Sequence, residues 1–329
     1  MTLFVALLPV LLFLAVLFAM DSFKLLRWPS LAASLAYGAV AAFAVLYFHR
    51  LLPLDHLSAA MITRYVAPVT EEIAKALLPV FLLRTHRVGF LVDALVLGFA
   101  VGAGFSLVEN AMYWRALDAP IWLWIVRGFG TAMLHGACTG IFATLAKAFS
   151  DRQDGFLTWL GAPLGAAIVI HSAFNHVLLP PAIQFAFMLL ILPGLVLWVF
   201  ERSERATGDW IGAGLDLDVE LLNLVASDAF THTRFGTYLK ELQTRFPSVV
   251  VADMFCLLRL ELELSAQAKG RLLARQAGLP LPVDSDLHDA LEEREYLQSA
   301  IGPTGLRALE PLQITTYRDH WHRHVLRQR

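Results

Sequence analysis

Glu71 and Glu72 stand side by side in the run Ala67-Pro68-Val69-Thr70-Glu71-Glu72-Ile73-Ala74-Lys75. Glu109 and Asn110 close the run that starts at Gly104-Phe105, His135 lies between Leu134 and Gly136, and His171 precedes Asn175 by four residues. All of them fall in stretches that are otherwise apolar, where an ionisable side chain is a functional candidate because nothing else justifies its desolvation. Acids and imidazoles in such a setting exchange protons, hold a cation or relay charge. Two adjacent carboxylates facing lipid would cost about 2.5–3.5 kcal/mol each, so the pair is expected to face a wet or polar interior. Lys75 lies at i+4 from Glu71 and i+3 from Glu72 and can neutralise one of them. Pro68 offers no N–H, which should free a carbonyl one turn earlier and kink the helix. His171 and Asn175 share one helical face. Arg64, Asp93 and Arg127 fall near span ends and read as structural charges that snorkel to the interface, and His176 reads as a helix-to-helix hydrogen bond.

The elements that must position these residues are membrane helices. The chain has 329 residues, 57% of them hydrophobic and only 16% charged, with a mean hydropathy of +0.59. A soluble domain carries about 25% charged residues. The apolar excess lies in the first 200 residues, so two regions are expected, a transmembrane domain over 1–200 and a helical cytoplasmic domain over 201–329. Spans of about 20 apolar residues fall at 2–20, 31–48, 59–83, 90–114, 121–148, 156–179 and 181–200, which predicts an all-α polytopic bundle of about seven helices. The first reads as a retained helix, since its charges, Asp21, Lys24 and Arg27, follow the apolar run instead of preceding it. Pro180-Pro181 marks a tight turn between the last two spans. The net charge of −2 and the lack of a long basic run give no reason to expect nucleic acid, and Cys138 and Cys256 make no disulfide framework.

Lys and Arg favour cytoplasmic loops. Lys24 and Arg27, Arg84 and Arg87, Lys147 and Arg152, and Arg202 and Arg205 follow alternate spans, which puts the N-terminus outside and the tail in the cytoplasm. Trp114, Trp122 and Trp124 bracket the fourth loop as an aromatic belt would. At about 1.5 Å of rise per residue, Glu71, Glu72, His135 and His171 lie at compatible depths, with Glu109 and Asn175 nearer the outer surface. The pairs Gly98/Gly102, Gly136/Gly140 and Gly161/Gly165 have the small-xxx-small spacing of close helix crossings. In the tail, Leu221, Leu222 and Val225 fall on one face, Phe255 to Leu264 is amphipathic, Gly278-Leu279-Pro280 is a helix stop and Asp284-Ser285 a cap. No catalytic signature occurs there, and docking of a cytoplasmic partner is its expected use.

The motifs resemble the PrsW family of intramembrane proteases, related to the CAAX-prenyl protease and bacteriocin-processing superfamily. The matching pieces are Glu71-Glu72-x-x-Lys75, Phe105-x-x-x-Glu109-Asn110, His135 and His171-x-x-x-Asn175, over about 60–200. The resemblance implies a site-one protease of a bacterial inner membrane. It would cut a membrane-anchored substrate, such as an anti-sigma factor, on the extracytoplasmic side. Glu71 or Glu72 would activate the water, His171 and Asn175 would donate to the oxyanion, and His135 would orient the water or share that role. Lys75, Phe105 and Asn110 would support them. The same residues allow a zinc form, with His135, His171 and Glu109 or Glu72 as ligands, but no compact zinc signature occurs, so a metal-free glutamate mechanism is the favoured expectation. Two rivals use the same residues, a proton-coupled transporter and a non-catalytic sensor. The internal repeats common in transporters are not found.

Overall fold

The computed structural model describes residues 2–21, 26–85, 87–152, 155–176, 181–280, 287–312 and 325–326. Among the described residues the regular structure is helix, with no strand. The chain divides into two compact units, Met1–Arg205 and Ala206–Arg329. In chain order the first unit holds α1 (Thr2–Met20), α2 (Trp28–Leu51), α3 (Ala59–Met61), α4 (Ala67–Arg84), α5 (Leu91–Ala116), α6 (Ile121–Val126), α7 (Ala132–Asp151) and α8 (Ala162–Asn175). The boundary between the units falls within α9 (Pro181–Val225). Wherever described, each of the seven expected spans is helical, apart from the end residues Phe90 and His176. Among the described residues five helices are long and apolar enough to cross a membrane, Thr2–Met20, Trp28–Leu51, Leu91–Ala116, Ile121–Asp151 and Leu157–Asn175. The third expected span is less apolar because Glu71, Glu72 and Lys75 lie in it. The seventh does not stop at residue 200, because Glu201 to Arg205 are good helix formers with an i,i+4 bond between Glu201 and Arg205. Lys24, Pro180 and Asp284-Ser285 lie outside the described residues.

Three five-residue π-helical turns sit at the junctions, Ile62–Val66 before α4, Arg127–Thr131 between α6 and α7, and Leu157–Gly161 before α8. Two of them lead into a proline, Pro68 and Pro163, at the start of the next helix. The ring has no N–H to give to a carbonyl upstream, and the wider turn accommodates the break. Around Pro68 the consequence is a pair of carbonyls offered to a neighbour. Ser172 Oγ donates to the Arg64 carbonyl at 2.6 Å, and Asn175 Nδ2 donates to the Thr63 carbonyl at 2.9 Å. The freed acceptor expected from the sequence thus fastens α8 to the turn that precedes α4. Thr70 donates to Val66 and Ala67 carbonyls and meets His49 Nε2 at 2.8 Å, and Tyr37 OH donates to the Ala74 carbonyl at 2.8 Å, so α2 is tied to α4 in the same way.

The core of this unit forms around α5, most of whose length is buried, with Phe99, Ala100 and Ala103 fully enclosed. Its first turn is closed by Asp93, whose carboxylate accepts from the N–H groups of Gly89 and Phe90 at 3.2 Å each, so Asp93 is a cap and not a snorkelling charge. A Cβ at Gly102 would lie 2.1 Å from the His135 carbonyl oxygen, and one at Gly104 would lie 1.9 Å from the Leu35 carbonyl oxygen. Helices α7 and α2 therefore cross α5 at backbone contact. The Gly98/Gly102 and Gly136/Gly140 pairs act as expected, but a Cβ at Gly161 or Gly165 would meet no described neighbour within 4 Å. That pair is small without being a crossing point. Trp114 and Trp122 are exposed as belt residues should be, whereas Trp124 is buried and donates to the Ala119 carbonyl at 3.1 Å.

The second unit is a separate helical packing of α10 (Arg234–Leu242), α11 (Ser248–Gln276), α12 (Leu287–Leu309) and the end of α9. Met254, Leu264, Ala268 and Leu272 of α11 are fully buried, and Leu297 and Ile301 of α12 are nearly so. Polar links between its helices include Lys269 Nζ to Asp218 Oδ2 at 2.7 Å, Arg294 Nε to Glu261 Oε1 at 2.6 Å and Tyr238 OH to the Ala308 carbonyl at 2.8 Å. Gly278 ends α11 with a φ of 67°, the left-handed conformation glycine tolerates.

Gly102→Ala should lower the thermal unfolding midpoint of the detergent-solubilised protein, with a cost of about 1–3 kcal/mol. Gly161→Ala and Gly165→Ala should leave it unchanged. Equal midpoints for all three would contradict the close α5–α7 crossing.

Candidate active site

Five segments of the first unit deliver polar side chains to one place. Helix α4 contributes Glu71, Glu72 and Lys75, α5 contributes Phe105, Glu109 and Asn110, the π turn before α7 contributes Arg127, and α7 and α8 contribute His135 and His171. Glu72, Lys75, His135 and His171 are each no more than 3% exposed. Glu72 Oε1 is shared, 2.6 Å from Lys75 Nζ and 2.8 Å from His171 Nδ1. Lys75 Nζ also lies 2.9 Å from His135 Nδ1 and 4.8 Å from the Phe105 ring centre. His135 Nε2 reaches Glu109 Oε2 at 2.9 Å. The two imidazoles meet edge to face, their centres 4.9 Å apart at 88°, and Phe105 lies against His135 at 5.3 Å.

These contacts fix the tautomers. An ammonium only donates, so His135 Nδ1 accepts from Lys75 and its Nε2–H goes to Glu109. A carboxylate only accepts, so His171 gives its Nδ1–H to Glu72 and keeps a lone pair on Nε2. That lone pair and His135 Nδ1 both face Glu71, whose Oε2 lies 3.9 Å from each. Glu71 Oε2 is buried and has no hydrogen-bond partner. Lys75 pairs with Glu72, and Arg127 Nη2 lies 3.5 Å from Glu109 Oε1, while Glu71 has no Lys or Arg partner among the described residues. This orphaned buried oxygen, set between the open lone pair of His171 and the His135 lone pair that Lys75 engages, is a place for a further group.

A metal ion fits that place. One ligand atom each from Glu71, His135 and His171 lie within 4.8 Å of one another. Each imidazole has its other nitrogen on a carboxylate, the arrangement that orients metal-binding histidines. The carboxylate of this set is Glu71 and not the Glu109 or Glu72 expected from the sequence. Glu109 and Glu72 occupy the opposite ring nitrogens, where they orient the imidazoles instead. The 3.9 Å separations lie between the ~3.4 Å expected of tetrahedral zinc ligands and the ~4.6 Å of two groups sharing one water. The Lys75 ammonium contacts the same His135 lone pair, so a cation here would compete with it.

The cluster lines a cavity of about 770 Å³ together with many apolar side chains, such as Ala42, Val45, Phe105 and Leu123, and a few polar ones, among them His49 and Thr131. Glu109 is drawn further into the cluster than its expected depth implies. Asn175 lines the cavity, but its amide nitrogen is engaged with the Thr63 carbonyl. Asn110 links helices, donating to the Ala6 carbonyl at 3.0 Å and accepting from Arg127 Nε at 3.0 Å. Arg127, a snorkelling charge by its sequence position, instead points into the cavity, over the Tyr113 ring at 3.9 Å. Ser172, also unassigned from sequence, is readable only as the neighbour of His171. His176 bonds to no site atom and contacts the Ser172 carbonyl at 2.7 Å, a bond within its own helix.

A family model described as PrsW family intramembrane metalloprotease matches residues 26–200. No curated protein and no solved structure matches the chain.

Removing one partner of the enclosed Glu72–Lys75 pair leaves a desolvated charge. Lys75→Met should destabilise the protein by about 3–5 kcal/mol, and adding Glu72→Gln should restore most of the loss. A single variant with the wild-type unfolding midpoint would show that Lys75 does not carry the Glu72 charge.

Proposed function

The chain belongs to the PrsW family of intramembrane metalloproteases, and from that premise we propose that Glu71, His135 and His171 form the reaction centre that hydrolyses a peptide bond of a membrane-anchored protein. The protein is an integral membrane peptidase. The observation that carries the reading is the unpaired, buried Glu71 Oε2, 3.9 Å from the open His171 Nε2 and 3.9 Å from His135 Nδ1, which Lys75 engages.

Glu71, His135 Nδ1 and His171 Nε2 would hold one divalent cation, zinc by the character of the ligands. Such an ion supplies Lewis-acid polarisation of the scissile carbonyl and of the water that attacks it. The convergence of three donors favours this over the metal-free mechanism taken from the sequence. If Oε2 holds the ion, the other oxygen of Glu71 would receive the proton of the attacking water and return it to the departing amide nitrogen, as the new C–O bond forms and the C–N bond breaks. Glu72 keeps His171 in the tautomer whose Nε2 faces Glu71, and Glu109 does the same for His135. Lys75 holds the Glu72 charge, and Phe105 closes the centre against lipid. Asn175, fixed on Thr63, lines the approach. The apolar cavity excludes bulk water and receives an unwound stretch of substrate.

The charge bias of the loops supports an outside N-terminus, a cytoplasmic tail and a cut made from the outer side of a bacterial inner membrane. The substrate is of the site-one type, with anti-sigma factors as the class that the family suggests. The tail docks a cytoplasmic partner.

Glu71→Gln should reduce cleavage of a co-expressed single-span reporter by about 10²-fold or more while the purified protein stays monodisperse. Wild-type protein should carry about one equivalent of zinc by elemental analysis and lose cleavage on chelation. Full cleavage after complete metal removal would overturn the metal assignment and leave Glu71 as the sole base. Ion uptake into liposomes without any peptide cleavage would return the carrier reading.

A further inference from the structure

Arg127 enters the cavity beside the reaction centre with one nitrogen unmet. Its side chain is 15% exposed. Nε donates to Asn110 Oδ1 at 3.0 Å, and the guanidinium lies over Tyr113. Asn110 is in turn fixed to the Ala6 carbonyl. Nη2 is buried and makes no hydrogen bond. Glu109 Oε1 at 3.5 Å is an ionic neighbour and does not accept from it. A guanidinium held at the cavity wall by Asn110, Tyr113 and Glu109, with one N–H that no described group accepts, is prepared for an acceptor that arrives from outside the chain.

Three other donors near the centre are committed. His171 Nδ1 is on Glu72, Lys75 is on Glu72 and His135, and Asn175 Nδ2 is on the Thr63 carbonyl. A peptide unwound within this apolar cavity has the opposite deficiency, since its carbonyls have left helix and water together. We propose that Arg127 is a substrate-binding residue whose free guanidinium N–H takes a backbone carbonyl oxygen of an extended peptide segment in the cavity. This rests on the protease reading above for the identity of the ligand. Charge selects the carbonyl over a carboxylate. Glu72 is matched by Lys75 and Glu109 by Arg127, so a carboxylate would add a second negative charge beside Glu109 and Glu71, whereas a carbonyl meets the N–H and adds none.

The test measures binding, with cleavage prevented by Glu71→Gln in the full-length protein. The probe is a fluorescent twelve-residue Leu/Ala peptide with lysines at both ends, followed by anisotropy in detergent. Arg127→Met should weaken its affinity about tenfold to a hundredfold, and Arg127→Gln, which keeps an N–H for Asn110, should show an intermediate loss. The same loss should persist when Glu109→Gln is added. If Arg127 serves only to balance Glu109, its substitution will have no effect in the Glu109→Gln background, and the proposal fails. It fails also if a probe with a central Glu binds at least about tenfold tighter than one with Gln, since the ligand is then a carboxylate. Size-exclusion profiles separate a folding defect from a binding defect, with Arg127→Gln deciding if Arg127→Met misfolds. Should the Glu71-intact protein cleave no reporter while Arg127-dependent binding persists, the protease reading falls and the peptide-binding role stands.

Discussion

The site depends on one desolvated carboxylate. Glu72 is enclosed on α4, and its Oε1 takes hydrogen bonds from both Lys75 and His171. An enclosed charge is tolerated only when paired and hydrogen-bonded. Glu72 therefore fixes the ammonium, the ammonium fixes the lone pair of His135, and His135 in turn fixes Glu109. From this single anion the tautomers of both imidazoles follow, and with them which lone pair Lys75 takes and which, on His171, stays open. Glu71, one residue earlier, is left as the acid that the network does not satisfy. Two adjacent acids in one helix thus have unlike environments, one bound inside the scaffold and one facing the cavity.

The scaffold can hold this network because α5 is crossed at backbone distance on two sides. Glycines at 102 and 104 remove the side chains that would keep α7 and α2 away, and in lipid such contacts do what hydrophobic burial does in water. The His135 carbonyl is itself the atom that Gly102 approaches. Packing and chemistry therefore meet at one residue, and loosening the crossing displaces an imidazole.

Much of this is legible in the sequence. Apolar runs of the right length locate the helices, and the acids and imidazoles within them mark the site, because charge in an apolar span has few bland explanations. The Pro68 carbonyl effect is readable too, since a missing N–H is a property of the residue type. The pairings are not readable. Adjacent positions on one helix do not say which acid meets the lysine, and depth arithmetic does not show that Glu109 turns toward His135. Arg127 is misjudged because position near a span end suggests snorkelling, and only the packing of Asn110 against α1 shows why it turns inward. Gly161 and Gly165 share the spacing of a crossing but meet no described neighbour, for spacing alone does not supply a partner.

The turn before Pro68 has an implication for how this chain tolerates drift. Besides Glu72, the acceptors that hold α8 are main-chain oxygens of Thr63 and Arg64, which every amino acid carries. Positions 63 and 64 can change identity without unfastening α8, while the imino acid at 68 and the short donors at 172 and 175 cannot. Covariation between these two segments should accordingly be silent at the acceptors, and a search for coupled substitutions would overlook a junction that the backbone itself maintains.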